Sequence, residues 1–202
     1  MIKTPLEIEG ISDSLYAGFW RRLGALLLDF LLILPFTGII VYVNSLGLHN
    51  YSYTVIPSFL FGLWYNIYLV QRYGATPGKL IAGIKIVTTS GEDVNWKHAI
   101  LRHLVLSLIT LFSIYVTLRS IGIGDAGYYD SLSWVQKTQY LAGLSPILFS
   151  VYTWSSNIWV YGELIVLLTN KRKRAVHDFM ASTVIIKTKY QEPIRNNLVT
   201  ID

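Results

Sequence analysis

The sequence predicts an all-α membrane protein, a bundle of four transmembrane helices carrying a small cytoplasmic element of β-hairpin and short helix. Three observations predict it. Only 14% of the 202 residues are charged and 52% are hydrophobic, whereas a soluble domain carries about 25% charged residues. Four stretches are long and apolar enough to be spans, which take about 20 residues with a range of roughly 17–25. Finally, 15 of the 17 Lys and Arg residues fall on one side of the topology those four stretches define, as the bias of basic residues toward the cytoplasm requires. Disorder, collagen and coiled coil are excluded by the same composition. With no cysteine in the chain, disulfides, thiolate metal sites, iron–sulfur clusters and thiol nucleophiles are excluded together.

The elements follow in chain order. Residues 1–18 form a cytoplasmic N-terminal segment containing Glu7, Glu9 and Asp13. Those acids, and the length of the apolar stretch that follows, argue against a cleavable signal, so the first span is expected to serve as its own insertion signal. Span one covers 23–43 and is interrupted only by Asp29. The next loop, 44–54, carries no charge, and span two covers 55–70, with Tyr51 to Thr54 adding length. In the connection 71–98, Thr76-Pro77 reads as a helix N-cap followed by proline at the first helical position. A short helix through about Ala82 would lay Leu80 and Ile81 on the membrane surface. Residues 84–89 then read as a strand and 90–93 as its turn.

Span three covers about 99–118, with Arg102 and His103 in its first turn. Span four covers 146–168 and contains Glu163. Residues 183–188 resemble 84–89 in character. The two are expected to pair in a small cytoplasmic sheet, because each alone would leave its backbone donors unpaired. The membrane domain as a whole runs over 19–188, and 189–202 form a cytoplasmic tail. Trp20, Trp64, Trp96 and Trp134 lie near span ends, where amphipathic rings favour the headgroup region.

The charge map orients the chain. Lys3, Arg21 and Arg22 precede or open span one; Arg72, Lys79, Lys85, Lys97 and Arg102 lie between spans two and three; seven more follow span four, among them Lys171-Arg172-Lys173-Arg174. Both termini are therefore expected in the cytoplasm of a bacterial inner membrane. The tetrad directly after span four would anchor that orientation and attract anionic lipid at about 1 kcal/mol per charge. The net charge of +5 is thus a topology signal and not a nucleic-acid footprint.

Asp29 is the most informative residue for chemistry. It lies seven positions beyond Arg22, roughly 10 Å deeper, on the same helix face with Ala25 between them. A carboxylate at mid-helix costs about 2.5–3.5 kcal/mol on insertion scales and usually faces a bundle interior or a water cavity. It must therefore find a partner on another helix, hold a proton or bind a monovalent cation. Glu163 lies at a similar depth on an oppositely running helix. Were the two to share one low-dielectric site, at least one pKa would rise and a proton carrier would result; facing different sides, they would be unrelated. In span three, His103, Ser107, Thr110, Ser113 and Thr117 line one face, a pattern that serves helix packing more often than a hydrophilic path.

Other motifs fail on inspection. Residues 74–80 fall one short of a phosphate loop, place Leu80 where Ser or Thr should bind magnesium, and lack a preceding strand. His98, His103 and His177 never reach metal-ligand spacing with acidic companions, and no serine lies on a nucleophile turn. No cofactor, metal or enzymatic activity is expected.

Three segments together resemble the RDD family of small bacterial membrane proteins. They are Ala17-Gly18-Phe19-Trp20-Arg21-Arg22-Leu23-Gly24-Ala25 leading to Leu28-Asp29, then Gly74-Ala75-Thr76-Pro77-Gly78-Lys79 continuing to Val87, and Ala175-Val176-His177-Asp178-Phe179-Met180 continuing to Val184. The resemblance covers most of 17–186 and implies that Arg22, Asp29 and Asp178 are the family's defining arginine and two aspartates, with Arg21 the other register for the arginine. Glu163 inherits nothing from it. It further implies a multi-pass protein in which some members act as sodium/proton antiporters. The alternative is a non-transporting scaffold or accessory subunit that binds other membrane proteins. With only four spans, a transport path would need a homo-oligomer or a membrane partner. A charge pair between Arg22 and Asp178 at the cytoplasmic base, with Asp29 deeper, is expected on either reading.

Overall fold

The computed structural model describes residues 2–200, so the tail expected over 189–202 is described except for its last two residues. Helix dominates. Three of the four expected spans become helices long and apolar enough to cross a membrane. The first, α1 (Phe19–Ser45), has a mean hydropathy of 2.4, and only 6% of its most apolar window is buried. In water so bare an apolar helix would be untenable; in lipid it is the expected surface. The second runs from Asn50 to Tyr73 as α2 (Asn50–Leu63), a π-helical turn (Trp64–Tyr68) and α3 (Leu69–Tyr73). It ends on Gly74, whose φ of 73° suits a residue without a side chain. The third is α5 (Trp96–Ile123).

The fourth stretch forms α8 (Pro146–Thr169). At 24 residues it has membrane-crossing length, but Ser155, Ser156, Asn157 and Glu163 dilute its hydropathy. Between α5 and α8 the chain forms α6 (Ala126–Ser131) and α7 (Trp134–Leu144). Both start with side-chain caps. Asp125 accepts from the Tyr128 amide at 2.6 Å, and Gln136 Oε1 accepts from the Ser133 amide at 3.0 Å.

Two compact units divide the chain. One comprises residues 1–32, 64–105 and 160–202. Its centre is an antiparallel pair, β2 (Ile84–Thr88) with β3 (Thr183–Lys187), in unbroken register from Ile84 opposite Lys187 to Thr88 opposite Thr183. The strands expected from sequence thus pair with each other across about a hundred residues, while the turn at Gly91 closes a single bridge between Val87 and Asp93. The N-terminal segment covers the other edge of β3: Tyr16 bridges Ile186, and the Ala17 amide donates to Ile185 O at 2.9 Å. Leu15 and Tyr16 are consequently buried with Val87, Val184 and Ile194, and Ala17 with Ile84, Ile86 and Ile185. A two-residue ladder, β1 (Ile2–Lys3) with β4 (Val199–Thr200), joins the chain ends. The short helices α4 (Pro77–Ile81), α9 (Val176–Met180) and α10 (Gln191–Asn196) complete this unit.

The other unit comprises residues 33–63 and 106–159. Its buried cluster is Leu48, Ile121 and Tyr129, with Tyr51, Tyr140 and Leu141 packed against it.

Candidate functional site

The polar residues of interest gather in the first unit. Asp29 projects from α1 and accepts three hydrogen bonds. Tyr65 Oη donates to Oδ1 at 2.5 Å, Thr76 Oγ1 to Oδ2 at 2.5 Å and the Gly78 amide to Oδ1 at 2.7 Å. Lys79 Nζ lies 3.9 Å from Oδ2 and donates to Thr76 Oγ1 at 3.0 Å. Tyr65 is presented by the π-helical turn, a device that changes the side-chain phase of a helix and recurs at functional sites.

Thr76 is the N-cap of α4 and Pro77 its first residue, as the sequence predicts. Thr76 has the extended backbone of an N-cap, but its hydroxyl turns to Asp29 instead of capping. The free amide at the second helical position, Gly78, is met by the Asp29 carboxylate itself, which also complements the helix dipole. Gly78 is obligatory for this contact. A Cβ there would lie 2.5 Å from Ala25 O and 2.5 Å from the Asp29 amide. The segment that fails as a phosphate loop therefore does cradle an anion, the carboxylate of α1.

Asp178, in α9, is completely buried. Arg22 Nη1 donates to its Oδ2 at 2.9 Å, Arg102 Nη1 to its Oδ1, and the Ala175 amide to Oδ2 at 3.0 Å. Each arginine is itself braced. Arg22 Nε donates to Ala17 O at 3.0 Å and Nη2 to Lys173 O, while Arg102 donates to Thr183 Oγ1 at 2.5 Å. Arg174 reaches around the same corner, donating to Thr183 O and Asp178 O at 2.9 Å each and stacking 4.0 Å over the Phe179 ring. Burial works to raise the Asp178 pKa, but Arg102, His177 and Arg22 overcome it and hold the carboxyl far below its ordinary value.

Glu163 of α8 repeats the Asp29 arrangement at a second short helix. Its Oε1 accepts from the His177 amide, the second helical position of α9, at 2.9 Å, and His177 Nδ1 lies 2.7 Å from Oε2. Asp29 and Glu163 thus bind different helix ends, so the shared carboxylate site weighed from sequence is not the arrangement found. In the span-three stripe, Thr110 and Thr117 donate to carbonyls of their own helix, Leu106 O and Ser113 O.

Sequence reasoning brought out Arg22, Asp29 and Asp178 but took Arg102 only as a topology marker. It lies one turn after Ala99, a fully buried helix residue, and no signal in the sequence marked it as inside. Arg21 is exposed, and Arg22 is the arginine engaged with Asp178.

The sequence pattern of the RDD family matches residues 16–182, which takes in Arg22, Asp29, Arg102, Glu163 and Asp178. The chain belongs to the RDD family. It is similar to the uncharacterized membrane protein YteJ of Bacillus subtilis (strain 168), with 28% identity over 113 residues, covering 52% of this chain and 68% of the relative. No solved structure matches the chain. Like its relative, this RDD protein is a membrane protein, and Arg22, Asp29 and Asp178 sit in two fixed networks around short helices.

Proposed function

We propose that this RDD protein is a four-span protein of the bacterial inner membrane, with both termini in the cytoplasm, that acts as a non-transporting scaffold or accessory subunit for other membrane proteins. The observation that carries this reading is the full engagement of Asp29: three donors hold its two oxygens, and they tie α1 to α4 through a contact that only glycine permits. A carboxylate so held is a fastener. The exposed apolar residues of α8, including Trp154, Ile158 and Ile165, support counting it as the fourth span. The basic tetrad after it supports a cytoplasmic C-terminus beside anionic lipid.

A second reading, cation/proton exchange, draws on one observation. Lys79 stands 3.9 Å from Asp29, and burial, only partly offset by Asp29, pulls its pKa from 10.5 down to about 8. A cation taking its place at Asp29 would release a proton near neutral pH. Proteoliposomes containing only this protein separate the readings. The scaffold predicts no sodium- or potassium-driven proton movement beyond that of empty liposomes. Flux that disappears in Asp29→Asn while the protein remains folded would establish exchange instead. Reporter fusions at Asn50, Ser90, Asp125 and the C-terminus should read outside, inside, outside and inside.

A further inference from the structure

The second unit holds a cavity of 270 Å³, just below the range of about 300–1,000 Å³ typical of small-molecule sites. Its wall is mainly apolar, with Leu48, Val116, Ile121 and Phe149 among its residues. Two polar groups on this wall stand out. Ser120 is 1% exposed, and its hydroxyl has no hydrogen-bond partner, although buried polar atoms are nearly always paired. Lys137 lies 4.9 Å over the Tyr129 ring and donates one proton to Ser45 O at 2.8 Å. No carboxylate of the described residues pairs with it, and the lining contains no Asp or Glu. Its ammonium keeps two further donors.

We propose that this cavity binds a single-chain anionic amphipath, a carboxylate on one acyl chain. The apolar wall fits the chain. Lys137 supplies the counter-charge, and the Ser120 hydroxyl supplies a donor that nothing in the protein uses. The volume excludes a two-chain phospholipid. The position of Trp134 on the same wall provides a reporter.

The test uses the full chain in nanodiscs of zwitterionic lipid, titrated with terminally brominated undecanoate while tryptophan fluorescence is read. Bromine quenches at contact, so binding gives a saturable component that is missing in Trp134→Phe. Lys137→Met should weaken this component about tenfold or more, the loss expected for one charge-assisted hydrogen bond. Ser120→Leu, which fills the cavity, should abolish it; if that variant fails to fold, the Lys137→Met titration decides. The brominated alcohol of equal length should bind at least as weakly as the acid binds Lys137→Met. Quenching that never saturates, that persists in Trp134→Phe, that is unchanged by Lys137→Met, or that the alcohol matches would overturn the proposal.

Discussion

Asp29 and Asp178 are two carboxylates held by opposite chemistries. Asp29 accepts from a phenol, an alcohol and a backbone amide, all neutral, with an ammonium 3.9 Å away. Asp178 lies in a fully buried position between two guanidinium groups, with the Ala175 amide closing its own helix cap. Removing the charge from Asp29 leaves three neutral donors without their acceptor and one ammonium, 3.9 Å away, without its counter-charge. Removing it from Asp178 leaves two positive charges facing each other without compensation. Burial depth therefore says less about the cost of a change than the formal charge of the partners does.

The largest effect should come from the Asp178 network. Asp178→Ala and Arg102→Ala should each lower stability in detergent by about 3–5 kcal/mol, because the remaining charge is stranded. Arg22→Ala should behave similarly, and Arg22→Lys should rescue poorly, since an ammonium cannot hold the Nε and Nη contacts together. Paired with Asp178→Ala, each arginine change should be much less than additive in thermal or denaturant unfolding. Strict additivity would put the residues in separate environments. The sign with pH follows from the depressed pKa. The stabilisation is complete above the unfolded carboxyl value of about 3.9 and is lost as pH falls below it, so Asp178→Asn should flatten the acid limb of a stability profile.

Next comes Gly78→Ala, which adds a methyl group 2.5 Å from two backbone atoms of α1. It should cost about 1–3 kcal/mol, as overpacking does, and should loosen the Asp29 contact without changing any charge. A melting temperature equal to that of the native protein would show that α4 can lift from α1 freely. Asp29→Asn should follow, at about 1–3 kcal/mol, because its amide presents donors to donors. If it costs as much as Asp178→Ala, the contrast between the two sites fails.

The smallest effect should be at Lys79. Its pKa is about 8 in the folded protein against 10.5 as the ordinary value. Between those values the unfolded state binds more protons, so stability should rise with pH across that window. Lys79→Met should remove part of that rise. An unchanged slope would mean that Lys79 is better solvated than its surroundings suggest.

Legibility from sequence varied with the range of the forces involved. The spans depend on local hydropathy, and 23–43, 55–70 and 99–118 lie inside helices that extend a few residues further at each end. The two strands carried their own β-branched pattern and were found within a residue of their expected ends. The helices α6 and α7 escaped because their short, mixed-polarity segments have caps but no marked periodicity. At the site, Asp29 could be singled out because a carboxylate in an apolar run is expensive wherever it points.

What the sequence determined by itself was a membrane chain with costly carboxylates at Asp29 and Glu163, because insertion energies depend on composition and position alone. Only the tertiary structure decided their partners. Tyr65, Gly78 and Arg102 come to the carboxylates from elsewhere in the chain. Their roles rest on a π-helical turn that changes the phase of Tyr65, on a backbone approach that tolerates no Cβ, and on an arginine one turn beyond a buried alanine. Hydrogen bonds of this kind have a reach of about 3 Å, and no sequence spacing encodes a distance that short between residues so far apart in the chain.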